Sequence, residues 1–311
     1  MLPGVVPTRA TLAKPGCLGQ NPFVSPHEPH GRPRLGRSEA REVVELKRWR
    51  TQHPELASAV DMQLELIDLH RRVQTRLLTP MLQRDPADIQ RRLVNGQRLV
   101  DFDDLPIDWS EFRLIFRQTA EILHRAGAIE DSDHASLQSA IRTGVGVDAQ
   151  ARDYYQRTSR PDRYQPPPAS QAAIIDEVLA LALKPFLARC AEAWTPRLDL
   201  SAWTNGWCPL CGMSPDFATL TSTVRVLICG RCTGQWPYPA NACPFCEQSG
   251  PGVITSFASR DGRYRVYGCN RCRKYLKAYE TRGASRPVLP VVDTIATLPL
   301  DAAAIQQGYD G

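Results

Sequence analysis

The chain has 311 residues, of which 42% are hydrophobic and 23% charged, and 38 basic side chains nearly balance 33 acidic ones. These values are close to globular averages and exclude a wholly disordered chain or a polycation, while the length favours two domains. No apolar run reaches the ~18 residues that cross a bilayer, and the start of the chain lacks the charged and apolar regions of a secretory signal. We therefore expect a cytoplasmic protein without membrane insertion.

Helical periodicity dominates the chain up to about residue 199. Residues 1–36 contain many Pro, Gly and His residues and predict an irregular N-terminal extension. After it, apolar residues recur every three to four positions, and Asp108 followed by Glu111 indicates a capped helix start. The predicted helices are 39–50, 54–78, 108–127, 131–141, 147–157 and a long one that Ser170 caps and Pro185 kinks. The four prolines in 160–170 predict a linker or a rigid loop.

After about residue 200, short runs of β-strand character replace the helical pattern. We predict strands at 223–228, 253–257 and 264–267, and one small helix at 301–307. The predicted fold is α+β, a mainly α-helical N-terminal domain followed by tandem small β modules of the rubredoxin or zinc-ribbon kind. The predicted segments are 1–36 for the extension, 37–199 for the helical domain, 200–239 and 240–282 for the two ribbons, and 283–311 for the C-terminal segment.

Eight of the ten cysteines form four C-x-x-C pairs within 65 residues. They are Cys208, Cys211, Cys229, Cys232, Cys243, Cys246, Cys269 and Cys272. Seventeen residues separate the first two pairs and 22 the last two, which is the spacing of two ribbon units, and no histidine follows residue 134. Two such pairs provide a tetrahedral S₄ shell for zinc or iron, so we predict that all eight are metal ligands. Sequential pairing is expected, with interleaved pairing, or a set of redox disulfides or buried thiols, as alternatives.

The residues beside the cysteines differ between the pairs. Gly212 directly follows the first pair and permits the positive φ that turns backbone N–H groups towards sulfur. The other three pairs lack this glycine, so we expect a different backbone conformation there. Outside the pairs, Cys190 lies in an amphipathic helix and predicts a buried apolar thiol, whereas Cys17 has no local partner.

A fully occupied Cys₄ shell leaves no open position for Lewis-acid catalysis, and the chain contains no catalytic motif, so we predict that it is not an enzyme. Residues 201–282 contain ten basic and four acidic side chains. We interpret this excess as compensation for the negative charge of the thiolate sites rather than as a surface that binds nucleic acid. A zinc-ribbon nucleic-acid-binding protein and a rubredoxin-type electron-transfer protein remain the alternatives.

Three motifs carry a family resemblance. They are CPLCGMSP (208–215), CNRCRKYLKAYE (269–280) and PVVDTIATLPLDAAAIQQGY (290–309). The first is similar to a first knuckle of the form C-P-x-C-G-x-x-P, and the last to an ending of the form P-x-A-D-D-x-A-T-L-x-L-D. On these motifs the chain resembles the formate dehydrogenase accessory proteins of the FdhE type.

The resemblance implies a role in the assembly or quality control of respiratory formate dehydrogenase, in the cytoplasm, through contact with its catalytic subunit. It also implies rubredoxin-like sites that hold iron, one ion per Cys₄ group and two per chain, although zinc fits the same ligands. Asp293 and Asp301 belong to the terminal motif, where a helix cap and a solvated carboxylate are the simpler roles.

Overall fold

The structure, a computed structural model, describes residues 35–143, 146–159, 171–221 and 224–310. The linker 160–170 and the extension up to residue 34 lie outside the described residues. Within them, seven α-helices precede a sheet: α1 (Leu35–Gln52), α2 (Ala57–Gln74), α3 (Pro86–Val94), α4 (Trp109–Arg125), α5 (Asp131–Thr143), α6 (Val147–Thr158) and α7 (Gln171–Trp194). Two further helices follow the sheet, and the predicted α+β class is confirmed.

The helical region packs around α4 and α7. The apolar face of α4 buries Phe112, Ile115 and Phe116, and the ring of Phe112 lies 6.0 Å from that of Phe186 on α7. Each fully buried side chain of this size stabilises the fold by ~1.5–3 kcal/mol. The helix begins as predicted, because the Asp108 carboxylate accepts a hydrogen bond of 2.8 Å from the amide of Glu111.

Two helices in this region differ from the predictions. The range 54–78 contains a 3₁₀ turn, Pro54–Leu56, followed by α2, which ends at Gln74. Helix α3 was not predicted, because it is only nine residues long and Leu93 is its one buried residue. The sequence feature that marks its start is the N-cap. The Asp85 carboxylate accepts a hydrogen bond of 2.7 Å from the amide of Ala87, and the proline between them occupies the first helical position.

The second half of the chain forms one mixed sheet of six strands in the order β3-β2-β1-β6-β5-β4. The strands are β1 (Pro215–Leu220), β2 (Arg225–Cys229), β3 (Gln235–Tyr238), β4 (Ile254–Ala258), β5 (Tyr264–Cys269) and β6 (Tyr275–Glu280). Each half is an antiparallel meander, and the halves join where β1 pairs with β6 in parallel, with Phe217 opposite Lys277. The two ribbon-spaced units therefore share a continuous sheet.

Three of these strands escaped prediction. Strands β1 and β6 have buried positions on both sides of the pleat, so their sequences do not alternate between polar and apolar residues. Strand β3 alternates in burial but is only four residues long and contains a proline, which argues against a strand in the sequence. The three predicted strands are confirmed with small shifts of their ends, as β2, β4 and β5.

Helices α8 (Pro290–Ala296) and α9 (Leu298–Gln306) follow β6. Helix α8 was not predicted, and α9 begins three residues before the predicted range. Val292 and Ile295 of α8 pack against Leu46 of α1 and Val60 of α2, while Leu300 of α9 packs against the sheet. The C-terminal segment thus contacts both halves of the molecule.

Of the four predicted segment boundaries, the one at residue 36 falls inside α1 and the other three fall between elements of the structure. Residue 199 precedes β1, residue 239 follows β3, and residue 282 follows β6. Independent folding of these segments stays a prediction. Among the described residues, no helix combines the length and the apolar character needed to cross a membrane.

Candidate metal centres

The first group of four cysteines joins two turns of the first meander. Cys208 and Cys211 precede β1. Cys229 is the last residue of β2, and Cys232 lies in the turn that follows it. Their Sγ atoms all lie within 4.8 Å of one another. The closest cross-pair distances are 3.5 Å, between Cys208 and Cys232 and between Cys211 and Cys229.

The second group is built in the same way in the second meander. Cys243 and Cys246 lie between β3 and β4, while Cys269 ends β5 and Cys272 lies in the turn before β6. Their sulfur atoms also lie within 4.8 Å of one another. Cys243 and Cys272, and Cys246 and Cys269, are 3.7 Å apart. The structure thus groups the eight cysteines in the sequential arrangement.

These distances fit a metal ion better than they fit disulfides. A tetrahedron with metal–sulfur bonds of ~2.3 Å has sulfur–sulfur edges of ~3.8 Å. The observed separations of 3.5–3.7 Å approach this value, whereas a disulfide requires ~2.05 Å. Because zinc and iron both accept an S₄ tetrahedron, the donor set fits either metal, and ligation by these eight residues stays a prediction.

All four cysteine pairs adopt one backbone conformation. In each, the amide four residues after the first cysteine donates to that cysteine's carbonyl oxygen; the donors are Gly212, Thr233, Glu247 and Arg273, at 2.9–3.0 Å. All four donors have a positive φ, 77° for the glycine and 60–62° for the others. The expectation of a different conformation at the three pairs without glycine was therefore wrong. The turn geometry imposes the left-handed conformation on ordinary residues, at a cost of the order of 1 kcal/mol each.

The first site is enclosed by the helical region. Its four cysteines are at most 1% exposed. The amides of Leu99 and Val100 donate hydrogen bonds of 2.9 Å to the carbonyls of Pro209 and Leu210, so the loop before α4 pairs with the first knuckle. A Cβ atom at Gly212 would lie 2.2 Å from the backbone oxygen of Ser159. The first knuckle can therefore pack this closely against the end of α6 only because residue 212 is a glycine.

A buried arginine accompanies the first site. Arg231 is 4% exposed and donates hydrogen bonds to the carbonyl of Cys211 at 2.6 Å and to the hydroxyls of Thr158 and Ser159 at 2.6 and 2.9 Å. Its guanidinium also lies over the ring of Tyr155, 4.6 Å from the centroid. Burial raises the pKa of the Cys211 thiol, but hydrogen bonds from the neighbouring thiols and the charge of Arg231 outweigh this effect and hold that pKa well below its usual value.

The second site is more open. Cys243 and Cys269 are buried, whereas Cys246 and Cys272 are partly exposed. Burial opposes ionisation of the Cys269 thiol, but backbone amides of Cys272 and Arg271 and the neighbouring thiols lower its pKa to about 7. The segments that carry the two sites are in contact, because the amide of Gly206 donates a hydrogen bond of 3.3 Å to a carboxylate oxygen of Glu247. One centre is therefore sealed in the protein and the other lies at the surface.

The two cysteines outside the C-x-x-C pairs belong to neither group. Cys190 is fully buried in α7, and burial raises the pKa of its thiol to about 12, which makes it an inert apolar thiol as predicted. Cys17 lies outside the described residues. Sequence reasoning missed the role of Arg231, because a buried arginine is identified by its partners rather than by its place between two cysteines.

The terminal motif supports the sheet through two carboxylates. Asp293 is fully buried and accepts hydrogen bonds from Tyr264, Arg286 and the amide of Leu289. Asp301 accepts from Tyr275 and Lys277 of the second meander at 2.7 and 2.8 Å. Neither side chain is a freely solvated carboxylate, and both anchor the C-terminal helices to β5 and β6.

The fold and the sites define an α+β protein with two Cys₄ groups, each of which could hold a metal ion, on one sheet. No family model matches the chain. It is 28% identical over 153 residues to the FdhE homolog of Actinobacillus pleuropneumoniae serotype 3 (strain JL03), covering 48% of each chain. It is 32% identical over 106 residues to the FdhE homolog of Glaesserella parasuis serovar 5, covering 32% of this chain and 34% of that one. The chain thus aligns with about half the length of the first of these relatives.

The fold has a known counterpart. The crystal structure of the FdhE protein from Pseudomonas aeruginosa matches with a TM-score of 0.58 at 20% sequence identity, over 88% of this chain and 92% of that one. These relatives confirm the resemblance predicted from the motifs, and the crystal structure shows that the fold is shared.

Proposed function

We propose that this protein is a non-catalytic accessory protein of respiratory formate dehydrogenase. It acts in the cytoplasm, where it contacts the catalytic subunit during assembly or quality control of the enzyme. The observation that carries the proposal is the pair of S₄ groups, at tetrahedral spacing, on a fold shared with an FdhE protein. The terminal motif adds support, because its two aspartates anchor the helices to the sheet that holds both groups.

The Cys₄ groups are proposed to hold iron, one ion per group and two per chain, with zinc as the alternative metal. The eight cysteines would be the ligands, and backbone amides such as those of Gly234 and Phe245, 3.4 Å from sulfur, would stabilise the thiolates. A bound iron would supply a one-electron couple, whereas zinc would supply only a structural link. Metal analysis and a visible spectrum of protein purified without oxygen and without chelator test this assignment.

The function is tested by complementation. A bacterium whose formate dehydrogenase activity depends on its own FdhE protein is deleted for that gene and supplied with this chain. We expect restored formate dehydrogenase activity with the natural sequence and a loss with the double substitution Cys208→Ala and Cys211→Ala. The Cys190→Ser variant is the matched control, because Cys190 lies outside both groups. Full activity with the double variant would contradict a role for the first site.

Rubredoxin-type electron transfer is the second candidate. It is favoured by the partial exposure of Cys246 and Cys272, which places the second site at the surface. It requires iron with a reversible ferric/ferrous couple, which voltammetry of the purified protein measures. Nucleic-acid binding is less favoured, because three basic residues of the cysteine region are buried in the protein: Arg225, Arg231 and Lys277.

A further inference from the structure

The two edges of the six-stranded sheet differ in their suitability for pairing with another chain. Edge strand β3 contains Pro237, which lacks the N–H group that a ladder requires. Edge strand β4 has the sequence ITSFA, with neither a proline nor a charged residue. Of the strands in the described residues, only β5 pairs with β4. Free edges are usually protected by charge or proline, so the bare edge of β4 suggests a binding function.

The register identifies the free groups of β4. Ser259 and Tyr264 share a hydrogen-bonded position of the β4–β5 hairpin, as do Val253 and Asn270. Because hydrogen-bonded positions alternate along an antiparallel pair, those of β4 that face β5 are Thr255 and Phe257. The backbone N–H and C=O groups of the other three residues therefore point away from the sheet. These residues are Ile254, Ser256 and Ala258.

The charges around this edge are positive. Arg260 and Arg271 are exposed near its two ends, and Arg265 lies opposite Ala258 on β5. None of the three has an acidic partner within 4.0 Å among the described residues, whereas the nearby Arg263 lies 3.7 Å from a carboxylate oxygen of Asp261. A strand added at this edge would lie between uncompensated cations, which favours an occupant with acidic side chains.

One end of the edge reaches the second metal centre. Ile254 is opposite Cys269 and packs against the cysteines of the second group. A chain paired with β4 would therefore pass beside the more open Cys₄ site. This geometry connects docking at the edge with the centre whose ligands Cys246 and Cys272 are partly exposed.

We propose that the free edge of β4 binds an extended, acidic segment of a protein partner as an additional strand. The outward backbone groups of Ile254, Ser256 and Ala258 provide the hydrogen bonds, and the flanking arginines select the charge. The inference rests on the proposed function in one respect, since the partner would then be the formate dehydrogenase catalytic subunit.

The first test needs no formate dehydrogenase. The probes are two fluorescent 12-residue peptides, one alternating valine with glutamate and one alternating valine with lysine, and their binding to the full chain is measured by anisotropy. We expect the glutamate peptide to bind at least tenfold more tightly. Equal binding, or no binding of the acidic peptide, would overturn the proposal.

Substitutions at Ser256 locate the binding. Ser256→Pro removes an outward N–H but no bond to β5, so binding of the acidic peptide should fall at least tenfold. Ser256→Ala is the matched control and should bind as the natural chain does. If the proline variant loses its fold by circular dichroism, the double variant Arg260→Glu and Arg271→Glu replaces it and should weaken binding equally. Unchanged binding in the folded variants would refute docking at β4.

The second test separates this inference from the proposed function. The full chain and its Ser256→Pro variant are mixed with the purified catalytic subunit. Capture by the natural chain alone supports both ideas, while capture by both chains keeps the proposed function and refutes the edge as its surface. Peptide binding without capture of the subunit keeps the edge and refutes the proposed partner. Binding of single-stranded DNA that competes with the peptide would instead assign the edge to nucleic acid.

Discussion

The guanidinium group of Arg231 donates a hydrogen bond of 2.6 Å to the carbonyl oxygen of Cys211, and both residues are buried. This contact joins the two knuckles of the first site. The same guanidinium reaches the hydroxyls of Thr158 and Ser159, so it also ties the site to the end of α6. Four thiolates around a divalent ion carry a charge of about −2, which this buried cation partly offsets.

Replacing Arg231 should therefore destabilise both the site and the fold. We expect Arg231→Met to lower the free energy of unfolding by about 3–5 kcal/mol, as for the loss of one partner of a buried ionic contact, and to reduce the bound metal. Urea denaturation and metal analysis measure the two effects. The control is Arg282→Met, because that side chain is 69% exposed. Unchanged stability and metal content would contradict the role given to Arg231.

Metal release should occur in two phases. The cysteines of the first site are at most 1% exposed, whereas two ligands of the second site are partly exposed. We expect a coloured chelator to remove one metal ion per chain rapidly and the other only slowly, because the enclosed site must open first. The double variant Cys246→Ala and Cys272→Ala should lose the fast phase alone. A single phase with half the metal in each site would disprove this difference.

The first knuckle should not tolerate a side chain at Gly212. Gly212 and Gly283 both have a positive φ, 77° and 67°, so alanine at either position costs about 1 kcal/mol of backbone strain. Only at Gly212 would the added Cβ meet a backbone oxygen, that of Ser159 at 2.2 Å. We expect Gly212→Ala to cost at least about 2 kcal/mol more than Gly283→Ala in urea unfolding. Equal losses would show that this close approach does not matter.

The buried aspartate of the terminal motif should be the more important of the two for stability. Asp293 has no exposed surface and pairs with Arg286, whereas the side chain of Asp301 is 20% exposed in its pair with Lys277. We expect Asp293→Asn to cost about 3–5 kcal/mol, since it leaves the Arg286 side chain, which is only 11% exposed, without its counterion, and Asp301→Asn to cost less. Thermal unfolding measures both, with the exposed Asp261→Asn as the control. A larger effect of Asp301→Asn would reverse this ranking.

Stability should fall on mild acidification because of His70. Its Nε2 atom is buried without a hydrogen-bond partner among the described residues. Burial and then the charge of Lys184 lower its pKa from 6.5 to about 4. Between these values the unfolded chain binds more protons than the folded one, so the free energy of unfolding decreases as the pH drops from 6.5 to 4. We expect His70→Gln to reduce this slope by up to about 1.4 kcal/mol per pH unit. An identical slope in the variant would contradict the assignment.

Local patterns predicted the parts of the fold that neighbouring residues encode. The start of α4 was predicted correctly because the capping residue Asp108 and the apolar periodicity lie within one short segment. Strands β1 and β6 were not predicted, because packing with distant elements buries positions on both of their faces and their sequences do not alternate. Helix α3 was missed because it is short and buries only Leu93. The left-handed φ of Thr233 and Arg273 was also unforeseen, since the turn imposes it on residues that do not prefer it.

The cysteine spacing alone was enough to define two S₄ donor sets, because a C-x-x-C turn is local and 17 or 22 residues suffice for a hairpin between two turns. It was not enough to show that the two units share one sheet, since the parallel pairing of β1 with β6 joins residues about sixty positions apart. Nor did it distinguish the sites. The enclosure of one centre by Arg231 and α6, and the exposure of the other beside β4, depend on contacts between distant segments, which arise only when the chain has folded.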